Sequence, residues 1–172
     1  FEGFGWNYSF GYELDYQLYK DVNIYYQYDS GYKLPSAFEQ YSDFGLWMGN
    51  DALVSEDVKT TQIGLGIGND ILNLDISLFH KSTENAIDWQ YSQIGEYWTG
   101  VNIPEVKVNG HQISADVNIE SFPLIGFISK INLDYTFIDL SHEAGDYRYT
   151  SNYLTYQFRS SFDYNLFFGL SQ

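Results

Sequence analysis

The 172-residue chain contains no Cys, one Met and three Pro, and only 8 Lys and Arg against 23 Asp and Glu. Without cysteine there is no disulfide framework, no thiolate metal site and no cysteine nucleophile. With a formal net charge of −15, nucleic acid is excluded as a partner, because phosphate binding demands an excess of Lys and Arg. Long apolar runs are missing too. The longest, Phe122 to Ile128, is broken by Pro and Gly and falls far short of the roughly 18 to 20 residues of a transmembrane helix. No basic segment followed by an apolar stretch opens the chain, so no signal peptide is expected within it. The charge does not imply disorder, since 44% of residues are hydrophobic and 20% aromatic, with 17 Tyr, 13 Phe and 4 Trp.

Those aromatic residues are ordered with a period of two. From Phe4 to Leu18 every even position is aromatic or Leu, and Gly5, Asn7, Ser9, Gly11, Glu13, Asp15 and Gln17 lie between them. Such alternation marks a strand with one apolar and one wet face. It is also longer than the usual strand of about 5 to 6 residues. The pattern recurs at Val22–Tyr28, Thr61–Ile67, Leu72–Leu78, Ile113–Ile119, Ile131–Phe137 and Leu154–Leu166, with an eighth strand beginning at Phe168. No segment has a helical period.

Short connections at Tyr19-Lys20-Asp21, Gly68-Asn69-Asp70 and Ser121 to Phe127 alternate with long ones at Ser30–Asp57, Ser82–Trp98 and Asp139–Thr150. An up-and-down meander has this asymmetry when its two ends face different environments, as in outer-membrane barrels. Alternation by itself does not say which face is inside: a soluble sandwich buries the apolar face, whereas a membrane barrel turns it to lipid. Strand length and Tyr and Phe at strand ends favour the membrane. The reading is all-β: an antiparallel, up-and-down transmembrane β-barrel.

Single residues carry less information. His142, with Glu143 and Asp146 nearby, offers cation ligands, but a solvated acidic loop is the simpler reading, so no metal is assigned. Ser141 and His142 are adjacent and point to opposite sides of a strand end, so no catalytic group is assigned either. His80 and His111 read as interfacial or lumen residues. In the long loops, Trp47, Met48, Trp89, Tyr97 and Trp98 read as exposed large residues able to form a ligand-capturing mouth, and Tyr147 and Arg148 are similar candidates. Packing of loop on loop, or an aromatic belt, would use the same residue types. Pro35 is placed at a strand end, Gly110 at a bend or bulge, and Asn50-Asp51 in a turn.

Two stretches resemble the barrel of TonB-dependent outer-membrane receptors. The first runs from Gly31 through Lys33, Pro35 and Phe38 to Tyr41, then Gly49-Asn50-Asp51-Ala52-Leu53-Val54-Ser55-Glu56. It is similar to the family's GNPxLxPE segment, with Asp51 and Ser55 replacing the prolines. The second comprises Leu74 to Lys81, then Ile87-Asp88-Trp89, Asn102 and Val106 to Gln112, with Gly110 at its centre. The resemblance implies a barrel of about 22 strands around an N-terminal plug, of which residues 1–172 would be an internal, late piece of seven to eight strands. It also implies no enzymatic chemistry and no cofactor. The partners it implies are outer-membrane lipid, the remaining barrel and plug, a TonB-type energy-coupling complex reached through the plug, and a scarce nutrient such as an iron chelate or cobalamin. The alternatives are a complete eight-stranded structural barrel and, more remotely, an outer-membrane hydrolase.

Overall fold

The computed structural model describes residues 8–119 and 128–164. Its strands are β1 (Phe10–Tyr19), β2 (Val22–Lys33), β3 (Asp43–Phe44), β4 (Trp47–Met48), β5 (Glu56–Gly68), β6 (Leu72–Ser92), β7 (Tyr97–Asn118), β8 (Ile128–His142) and β9 (Tyr156–Tyr164). The seven long strands form one antiparallel sheet in the order β1-β2-β5-β6-β7-β8-β9, and each neighbours the next long strand in the chain. Among the described residues β1 and β9 do not pair with each other, so each leaves an open edge. The anticipated strand at Phe168, the linker Ser121 to Phe127 and the first residues of the Phe4 alternation lie outside the described residues.

Register explains the period of two. Directly paired residues share a face, and one row of partners runs Tyr16, Ile24, Leu65, Ile76, Ile113, Tyr135, Phe158 across all seven strands. The adjacent row on the other face runs Asp15, Tyr25, Gly64, Ser77, Gln112, Thr136, Gln157. The sheet therefore has one continuous apolar face and one continuous polar face. A one-residue slip of any strand would mix them.

The polar face is stitched by side chains. The Tyr25 hydroxyl donates to Asp75 at 3.0 Å, Ser114 to Asp134 at 2.7 Å, and Lys130 Nζ lies 2.9 Å from Asp116. Glycines on this face are covered by side chains of neighbouring strands: the Tyr25 ring lies over Gly64 and the Phe79 ring over Gly110. Gly110 is thus not a bulge, because pairing with Ile138 and Phe79 continues in step there. Its lack of Cβ makes room for an aromatic ring.

Two further expectations are corrected. The segment Ser82 to Trp98 is not a long loop: β6 and β7 have 21 and 22 residues and pair through Ser92 and Tyr97, leaving a four-residue turn at 93–96. Its polar and aromatic residues do not follow membrane alternation because this part of the hairpin is covered by protein. A short helix, α1 (Ala37–Tyr41), also interrupts the first long loop. Five residues are too few to display a helical period. Its start is nevertheless written in the chain as a capping box, with Ser36 accepting from the Glu39 backbone N–H and the Glu39 carboxylate accepting from Ser36 N–H.

Candidate functional site at the loop end

β5 begins at Glu56 and β8 ends at His142, so the β6–β7 hairpin projects beyond both neighbours as an arm. Asn85 sits at its base with φ of 53°, a left-handed conformation that Asn tolerates better than most residues. Such an arm exposes two unpaired strand edges, and both are covered. β4 pairs in parallel with β7 through Trp47–Trp98 and Met48–Thr99. On the other edge Gln90 bridges to Tyr147, and Arg148 N donates to Trp89 O at 3.0 Å.

The loop between β2 and β5 lies against one face of the arm. The side chain of Asn50 donates to Gly100 O at 3.0 Å, and Leu53 is buried against Gly100. Asn102 accepts from Val54 N at 3.0 Å and donates to Val54 O at 3.1 Å and to Asn85 O at 2.7 Å. Glu56 accepts from Ile87 N at 2.7 Å while Lys33 lies 3.3 Å from Glu56 and 3.5 Å from Glu39. Burial opposes the Glu39 charge, but the Ser36 hydrogen bonds and Lys33 outweigh it and hold the carboxyl below its ordinary value. Burial likewise opposes the Lys33 charge, and Glu56 and Glu39 outweigh it, so the amine is raised.

The loop between β8 and β9 lies on the opposite face and is hooked by Asp88. This carboxylate is 1% exposed and accepts from Tyr149 N at 3.1 Å, Thr150 N at 2.9 Å and the Thr150 hydroxyl at 3.0 Å. A buried carboxylate is tolerable only when its lone pairs are satisfied, as here. Beside it, Ala86, Ile103, Val106 and Tyr147 form a small hydrophobic core. Burial, followed by the charges of Glu143 and Asp88, pushes the Tyr147 hydroxyl upward in pKa.

The anticipated mouth residues take distinct positions. Trp47 stands at the centre, edge-on to Trp89 at 5.0 Å and stacked with Trp98 at 6.1 Å, and the Arg148 guanidinium lies 4.3 Å above its ring. Trp89 is 2% exposed, which corrects its reading as an exposed residue. It anchors the cluster from beneath. Tyr147 is buried in the core just described, and Tyr97 is half-buried across Gly95. Met48 remains exposed at the edge. Sequence reasoning missed Phe38, 5.4 Å from Trp89, and Tyr91, 5.3 Å from Trp98. The Tyr91–Trp98 pairing follows once β6 and β7 are in register, but a loop assignment conceals it. His142 packs edge-on to Tyr147 at 5.4 Å, and His111 stacks on Phe137 at 5.1 Å on the apolar face.

Most of the motif residues share one task. Lys33, Asn50, Leu53, Glu56, Asp88, Trp89 and Asn102 all contact the arm or the loops held against it, while Pro35 precedes the helix cap and Gly110 seats Phe79 lower in the wall. They build the loop end; few of them face outward from it.

A continuous apolar face on a long antiparallel meander, with short turns at one end and a protein-covered arm at the other, defines the wall of an outer-membrane β-barrel. Residues 1–171 match the family model for the TonB dependent receptor-like β-barrel, and the chain belongs to that family. This is a family of outer-membrane transport proteins rather than enzymes. The chain is 31% identical over 88 residues to the Vitamin B12 transporter BtuB of Vibrio vulnificus, covering 50% of the chain and 14% of that protein. It is 24% identical over 147 residues to the hemoglobin and hemoglobin-haptoglobin-binding protein A of Haemophilus influenzae, covering 76% and 13%. Among solved structures, the siderophore receptor PirA of Pseudomonas aeruginosa superposes with a TM-score of 0.66 at 16% identity, covering 91% of this chain and 27% of that one. The copper transporter OprC gives 0.60 at 15% identity, covering 76% and 20%. The chain thus spans a small part of the length of these relatives, and its sheet is consistent with part of a larger barrel.

Proposed function

We propose that this chain supplies part of the wall and mouth of an outer-membrane receptor for TonB-dependent uptake of a scarce nutrient, an iron chelate, cobalamin or a similar bulky solute. Residues 1–172 are read as one partial barrel domain within a wall of about 22 strands, with the plug and the other strands supplied by the rest of the receptor. The open edges of β1 and β9 support this, since unpaired strand edges in lipid cost several kcal/mol per group. In this reading the apolar face meets lipid, the loop end receives the nutrient, and the TonB-type complex acts through the plug.

The observation that carries the proposal is the Trp47–Trp98–Arg148 surface on an arm clamped from both sides, since capture of a ligand is strengthened when its contacts are held in place beforehand. The test is made in the full-length receptor. Trp47→Ala together with Trp98→Ala should reduce uptake of the transported nutrient by about tenfold or more with unchanged amounts of folded receptor in the outer membrane. Undiminished uptake would remove the loop surface from the transport role. A self-contained eight-stranded barrel finds no favouring pair among the described strands.

A further inference from the structure

Arg148 has an aromatic support and, among the described residues, no acidic partner. Its guanidinium lies 4.3 Å over Trp47 and 5.7 Å from the Tyr149 ring, and among the described residues it enters no ion pair. By contrast Lys33, the other cation of this clamp, is engaged by two carboxylates. The backbone around Arg148 is fastened on every side: its N–H donates to Trp89 O, its carbonyl accepts from Asn152 Nδ2 at 2.8 Å, and the next two N–H groups go to Asp88. Trp47 is equally fixed, through its pairing with Trp98 and its edge contact with Trp89. A guanidinium so held, with one face on an indole and its N–H edge unspent, is suited to bidentate recognition of an oxyanion. The flanking aromatic rings suit a flat group behind that anion.

We infer that Arg148 on Trp47 is the recognition point for an oxyanion carried on a flat π-bonded group of the ligand, with Asp88 as the positioning residue that presents it. This rests on the loop end being the ligand-receiving end, as proposed above, and deepens it by naming the ligand chemistry. Lipid headgroups are too far away to be the source. The apolar face of β6 ends at Leu78, and Trp89, which holds Arg148, lies about 35 Å further along the strand at the usual rise per residue. Asp75 and Asp134 lie further still along the wall, beyond a Debye length of about 8 Å, and the nearer carboxylate, Asp88, is buried and engaged by the Tyr149 and Thr150 donors.

Equilibrium dialysis of the full-length receptor against 2-naphthoate, its neutral analogue 2-naphthylmethanol and inorganic phosphate tests the inference. Wild type should bind naphthoate saturably and at least about tenfold more tightly than either of the others. Arg148→Gln should lower naphthoate affinity about tenfold without altering naphthylmethanol, Arg148→Lys should fall between, and Asp88→Asn should weaken naphthoate less than Arg148→Gln does. Limited proteolysis of the β8–β9 loop, run in parallel, reports whether the loop stays docked. If Arg148→Gln opens the loop to protease while naphthoate binding persists, Arg148 is only a staple between loops and the inference falls. Absent saturable binding, or equal binding of the neutral analogue or of phosphate, overturns it as well. Should naphthoate fail while Trp47→Ala with Trp98→Ala still reduces uptake, only the oxyanion assignment is lost.

Discussion

Asn102 grips both main-chain groups of Val54, accepting from its N–H at 3.0 Å and donating to its carbonyl at 3.1 Å. A side-chain amide thereby acts as a strand partner for a stretch of the β2–β5 loop that lies outside every strand. The third bond, to Asn85 O at 2.7 Å, ties this grip to the left-handed residue at the base of the arm.

Asn102→Ala should therefore loosen the β2–β5 loop without unfolding the wall. Three hydrogen bonds are lost, at about 0.5 to 1.5 kcal/mol each. Faster cleavage within residues 34–55 by a protease added to the intact receptor would report it, with the thermal transition of the barrel little changed. Asn102→Asp should behave similarly, because a carboxylate cannot donate to Val54 O or Asn85 O.

Asp88→Asn tests the second hook. The amide keeps one acceptor oxygen, but its NH2 confronts the donors of Tyr149 and Thr150. A loss of about 2 to 4 kcal/mol in local stability is expected. Hydrogen exchange at the Tyr149 and Thr150 amides should accelerate accordingly, while exchange at β6–β7 pairs below Leu78 stays as in wild type.

Gly110→Ala should damage the wall more than Gly66→Ala. A Cβ at Gly110 meets the Phe79 ring and the Phe137 main-chain carbonyl, whereas at Gly66 it meets the flexible end of Asn23. Overpacking that must move backbone costs about 1 to 3 kcal/mol. The comparison is read from the thermal midpoints of the two detergent-folded receptors.

Acid should release the β2–β5 loop before it disturbs the sheet. Glu39 is held below its ordinary value of 4.5, so its contribution is complete above that pH and is lost as pH falls through the lower folded value. Glu39→Gln should abolish the acid-dependent part of this release. Protease sensitivity of residues 34–55 between pH 6 and pH 3 (roughly the span in which carboxylates titrate) provides the measurement, and a loop equally labile at both ends of that range would contradict it.

Much of the wall was legible because its physics is local. Ile24, Leu65, Ile76 and Ile113 each alternate with a polar neighbour, and that alternation survives whatever strand comes next. The arm was not legible. Ile87, Asp88, Trp89 and Gln90 alternate for protein on both faces rather than for lipid on one, so their pattern resembles a polar loop. The likeness of Asn50, Glu56, Asp88 and Asn102 to a receptor motif did not disclose their contacts, since each makes its contact with a residue at least 31 positions away in the chain or with a neighbouring strand.

Alone, the amino-acid order determined that this chain makes long one-faced strands, that it carries no thiol and no excess of Lys and Arg for phosphate, and that many of the aromatic residues of its wall belong on one side. These conclusions depend on period and charge, which are properties of neighbours. Only the tertiary structure decided that Trp89 is buried while Trp47 carries Arg148, and that two loops clamp one hairpin from opposite faces. Those outcomes depend on which strand edges are left unpaired after the sheet assembles, and an unpaired edge exists only once every strand has found its register.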